Sequence, residues 1–122
     1  MTLEEFEEQV VEALELVPDE FRSYLADVAV IVEEWPSAEH HRRLRLRPNE
    51  TLFGLYEGVP LPERTRGYNL AMPDRITLFR GPLQAYAGAD RERLRQQVRR
   101  TVLHEIAHHF GFGEERLREL GY

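Results

Sequence analysis

The chain has 122 residues, is 42% hydrophobic, lacks cysteine and carries a formal net charge of -6. That length suits one domain over 1–122 with a single modest core. Disulfides, cysteine zinc ribbons and thiol nucleophiles are excluded, and the acidic balance argues against general nucleic-acid binding, where a basic face is expected. The longest aliphatic run, Val28 to Val32, is far too short to cross a bilayer. The opening "MTLEEFEEQV" is acidic where a signal peptide would be basic and then apolar. A cytoplasmic protein without a membrane partner is therefore expected.

Thr2 followed by Glu5 reads as a capping box, and Leu3, Phe6, Val10, Ala13, Leu14 and Val17 recur at helical spacing. A first helix should end near Val17-Pro18, with a short second one around Asp19 to Ala26. "DVAVIVEEW" is β-branched and stopped by Pro36, which predicts a buried strand. "SAEHHRRLRL" predicts one or two helical turns. "TLFGLYEG" reads as a second strand weakened by Gly54. Residues 58–74, with three prolines and two glycines, read as a long exposed loop. "RITLFRG" is a third strand, ended by Gly81-Pro82. Asp90 should cap a long helix to about Phe110, broken by Gly111 and Gly113, before a last helix from Glu114 to Leu120. The fold class expected is α+β: a small mixed sheet of about three strands, N-terminal helices and one long C-terminal helix.

The long helix carries "LHEIAHHFGFGEE". Residues four apart on a helix are separated by about 40° in rotation, so His104 and His108 share a face. Two imidazoles so spaced can hold one zinc ion at about 2.0–2.1 Å each. Glu105, about 100° further round, is poorly placed as a ligand but within reach of a water on the metal. Val98, Val102, Leu103, Ile106 and Phe110 take roughly the opposite side and should face the core. A catalytic zinc needs a third protein ligand and an open position. A glutamate about twenty residues downstream, as in thermolysin-like sites, does not fit a sequence closing at Tyr122, whereas the compact pattern HExxHxxGxx plus a ligand does. Gly111 occupies the turn position, and Glu114, with Glu115 as the adjacent alternative, supplies an oxygen ligand. By composition an HExxH alone is expected at roughly 3%, so the specificity lies in the extended pattern.

"HEIAHHFGFGEE", preceded by "PDRITLFRGP" and accompanied by "VAVIVEEWP" and "TLFGLYEGVPLPER", resembles the bacterial mini-zincins, minimal relatives of the Asp-zincin metallopeptidases. The resemblance runs along nearly the whole chain. It implies a single zincin-like domain binding Zn2+, with His104, His108 and the residue at 114 as metal ligands and Glu105 as general base. It names no particular substrate; for a peptidase, a peptide or protein substrate is expected. Where the Asp-zincin pattern has Asp, this sequence has Glu114, one methylene longer.

Other features carry less. His40 and His41, in an Arg-rich segment without metal spacing, are expected at the surface, and His109 is expected to be structural or to support its neighbours. "RERLRQQVRR" and "HHRRLRLR" read as solvated faces before nucleic-acid patches. "RITLFRG" is the candidate edge strand for an extended peptide, and Tyr68, Tyr86 and several arginines are candidates for transition-state stabilisation beside zinc. Two rivals stand beside the peptidase. One is a metal-dependent endoribonuclease-type hydrolase, whose HxxxHxxGxDH pattern shares the first, fifth and eleventh positions. The other is a non-catalytic interaction domain stabilised by its metal.

Overall fold

Thr2 Oγ1 accepts a hydrogen bond from the Glu5 amide at 3.1 Å and starts α1, Leu3–Glu15, in a computed structural model that describes residues 1–58 and 74–122. Then follow α2 (Asp19–Leu25), β1 (Val28–Glu33), α3 (Ala38–Arg43), β2 (Gly54–Glu57), β3 (Asp74–Phe79), α4 (Arg80–Ala87), α5 (Arg91–Phe110) and α6 (Glu114–Glu119). The architecture is α+β, as the sequence predicts. The predicted loop over 58–74 falls mostly outside the described residues, and Tyr68 lies outside them too.

The sheet is mixed. β3 runs between β1, its parallel neighbour, and β2, its antiparallel one. This corrects the expectation that "RITLFRG" is an edge. Ile76, Thr77, Leu78 and Phe79 are all buried, as befits a central strand covered on both faces. The edge nearest α5 is β2.

Phe6, Val10 and Ala13 of α1 pack on Leu94, Val98, Val102 and Ile106 of α5, with Ile76 and Leu78 beneath. The four α5 residues repeat every four positions, so one stripe of the helix is fixed against the core. A second cluster joins Val17, Phe21, Leu103, Ala107 and Leu117. It ties α2 and α6 to the C-terminal half of α5.

Four local expectations need correction. β1, expected as a buried strand, is an edge strand with no fully buried residue. Gly81-Pro82 does not end the third strand in a turn; it lies in the first turn of α4, where proline's missing N–H costs no hydrogen bond. His40 is buried, not at the surface. Its Nδ1 accepts from the Ser37 amide at 2.9 Å while the Ser37 hydroxyl accepts from the His40 amide, a cap for α3, and the ring packs edge-on against Phe79. Phe110 stays 45% exposed, its ring lying against Tyr24, Tyr56 and His109 and not in the core clusters.

Candidate metal centre and its surroundings

The last two turns of α5 bring His104, Glu105, His108 and His109 to one end of the molecule. Asp90 starts this helix, accepting from the Arg93 amide at 3.0 Å, and Gly111 stops it in the left-handed conformation (φ 73°). The Gly111 amide caps Ala107 O at 2.9 Å. The chain then reverses through Phe112, whose ring stacks on Phe21 at 5.5 Å and packs against Tyr24 at 4.7 Å. With that aromatic anchor and Leu117 buried, α6 can start at Glu114 beside the end of α5. Glu114 and Glu115 then occupy its first turn, where the helix dipole favours carboxylates.

The result is a direct contact. His108 Nε2 lies 2.5 Å from Glu114 Oε1, and it is Glu114, not Glu115, that makes it. Two predicted ligands from different helices thus meet. His104 stands one turn earlier on α5, partly buried, and does not join them: among the described residues no three His, Asp or Glu side chains converge on one point. The donor set nevertheless fits zinc, with two imidazoles a helical turn apart and a carboxylate already against one.

Glu105 has a different environment. Its Oε1 accepts a hydrogen bond from the backbone amide of Tyr56 on β2 at 2.8 Å. Phe79 N donates to Phe53 O across the β2–β3 pair, so Tyr56, three residues on, presents its amide on the outer side of the ladder, toward α5. The helix can come that close because Gly54 lacks a side chain. A Cβ there would lie 2.7 Å from Thr101 Cγ2 on α5 and 3.1 Å from Thr77 O.

Tyr56 organises the neighbourhood further. Its hydroxyl donates to Asp74 Oδ2 at 2.7 Å, and its ring stacks on His109 with centroids 3.9 Å apart and 20° between planes. His109 Nε2 is 3.7 Å from the same Asp74 oxygen. Burial, then the hydrogen bond to Asp74 and its negative charge, push the Tyr56 hydroxyl well above the ordinary tyrosine range. His109 is thus a supporting residue, as expected. Sequence reasoning misses Tyr56, since nothing in "GLYEG" announces which helix its strand edge meets. Tyr86 instead packs edge-on against Phe53 and under the Arg93 guanidinium.

Four arginines of the basic segments pair with acidic neighbours: Arg43 with Glu57, Arg47 with Glu50, Arg91 with Glu5, and Arg95 with Glu12 and Glu92. No described helix is long and apolar enough to cross a membrane.

Comparison with known proteins agrees with this picture. A family described as zincin-like metallopeptidase matches residues 25–122. No curated protein matches. Among solved structures, a conserved hypothetical protein from Thermo thermophilus is similar over 90% of this chain and 94% of its own, with 25% identity and a TM-score of 0.59.

Proposed function

This chain belongs to the zincin-like metallopeptidase family, and from that premise we propose that it is a zinc-dependent peptidase with His104, His108 and Glu114 as metal ligands and Glu105 as general base. The observation that carries the reading is the His108–Glu114 contact. It brings an oxygen donor from beyond the helix break to a histidine of the helix, as the extended pattern requires. Zinc bound there would supply Lewis acidity to a scissile carbonyl and lower the pKa of water toward about 7.

The chain's own residues do the rest. The Tyr56 amide holds one oxygen of Glu105, which fixes the carboxylate's orientation and leaves the other oxygen to take a proton from the attacking water and pass it to the leaving amine. Asp74 and His109 hold Tyr56 by its hydroxyl and its ring. The substrate proposed is an extended peptide segment. The family membership supports this reading over the endoribonuclease alternative, and so do an acid at position 105 and net charge -6.

Glu105→Gln keeps size and hydrogen bonding and removes the base. Its zinc content should equal that of wild type, its melting temperature should stay within a few degrees, and hydrolysis of a mixed library of short peptides should fall by at least about 10²-fold. Chelated wild type is the blank. Wild-type activity that survives the substitution overturns the base assignment. Zinc-loaded wild type that cleaves nothing favours the structural-metal alternative.

A further inference from the structure

The far side of the sheet from the metal centre has an unusual edge. β1 pairs with β3 along one side, and among the described residues no strand pairs with the other. Its residues Val28, Ala29, Val30, Ile31 and Val32 are all uncharged, yet none is fully buried. Edge strands are usually blunted by an interior charge, a proline or a bulge. The middle of β1 carries no charge and no proline.

Beside it lies a groove of about 390 Å³ between α1 and β1, walled by Val11, Leu14, Val30 and Ile31, with Glu7 as its charged lining residue. Val11 is 55% exposed on that wall. Next to it a second depression on α1 is lined by Glu4, Glu7, Glu8 and Glu12. Exposed Asp27 and Glu33 bracket the strand at its two ends. Glu12 is engaged by Arg95, but Glu4, Glu7, Glu8, Asp27 and Glu33 have no ionic partner among the described residues.

We propose that the β1 edge is a docking site for an extended basic peptide segment, alternating arginine or lysine with aliphatic residues, which adds as a fourth strand. Main-chain pairing supplies the attachment, and alternate side chains divide between the apolar groove and solvent. The acidic row on α1 and the acidic ends of β1 select the partner's charge. A second copy of this chain fits less well, because a two-fold β1–β1 pairing would bring two acidic α1 rows together. The site is separate from the metal centre, since β2, not β1, meets Glu105. The inference does not depend on zinc or on catalysis.

Fluorescence anisotropy with a labelled nonapeptide alternating arginine and valine tests it, with an alternating glutamate–valine peptide as control and mass spectrometry to confirm that the peptides stay intact. Expected is saturable one-to-one binding of the basic peptide, unchanged by chelator and weakened by salt. Glu7→Arg combined with Glu8→Arg, both at exposed positions, should weaken it at least about ten-fold with an unchanged circular dichroism spectrum. Of two basic peptides N-methylated on the odd or the even amides, one should lose about ten-fold and the other little, because only one row of amides faces β1. Equal binding of the acidic peptide, equal affinity of both methylated peptides to the parent, or a dimer of the protein that excludes the peptide would each overturn the proposal.

Discussion

At φ 73° Gly111 sits in the left-handed region, and the return of the chain toward His108 depends on that one backbone conformation. A Cβ at Gly111 would meet no atom within 4 Å, so its requirement is purely conformational. Gly111→Ala should therefore cost about 1 kcal/mol, and Gly111→Asn less, because asparagine tolerates this region better. Thermal melts of the three proteins check the order. A second residue-scale prediction concerns Glu20, which accepts from Arg116 Nε at 3.0 Å and Nη2 at 2.7 Å and so ties α2 to α6. The hydrogen bond from Arg116 lowers the Glu20 pKa against a smaller opposing effect of desolvation. A carboxylate depressed in the folded state stabilises above its unfolded value, about 4.3, and loses that contribution as pH falls through the folded value. Denaturant melts from pH 7 to 3 should show a shallower acid-side loss for Glu20→Gln than for wild type. Parallel curves would show that the bridge carries no pH dependence.

At the scale of elements, α6 is what delivers Glu114, and Leu117 is what holds α6. That side chain is fully buried against Val17, Phe21, Leu103 and Ala107. Leu117→Ala should destabilise by about 2–4 kcal/mol through the cavity it leaves. It should also weaken zinc binding without touching a ligand, because α6 is then less firmly held beside His108. Unfolding in urea and zinc titration of the same sample test both halves. The helices and strands are mostly legible from spacing and caps: Thr2, Asp90 and Gly111 mark boundaries that the structure keeps. α4 is not, because "RGP" reads as a stop. Pro82 is compatible with a first helical turn, and Gly81 is there because the Trp35 indole occupies the space a Cβ would need. His40 misleads for a similar reason: its neighbours are charged, but its ring serves a local cap and a contact with Phe79 that lies far away in sequence.

Across the whole molecule, periodicity tells which residues share a face of α5 but not what stands opposite them. His104 and His108 on one side and Val98, Val102 and Ile106 on the other can be read from spacing alone. That β2 runs along α5 and offers the Tyr56 amide to Glu105 cannot, since it depends on β3 being central and on Gly54 allowing close approach. The Glu114 contact lies between these cases: the pattern names the residue, and the packing of Phe112 on Phe21 and Tyr24 with the burial of Leu117 explains how it gets there. Everything proposed for the site depends on α5 and α6 together holding one zinc ion. The most direct test is metal content after chelation, reloading and desalting, read by atomic emission for wild type, His108→Ala and His41→Ala. His41 is the better control than His40, which caps α3 from a buried position. One zinc per chain is expected in wild type and in His41→Ala, and none in His108→Ala. Equal zinc in wild type and His108→Ala would contradict this.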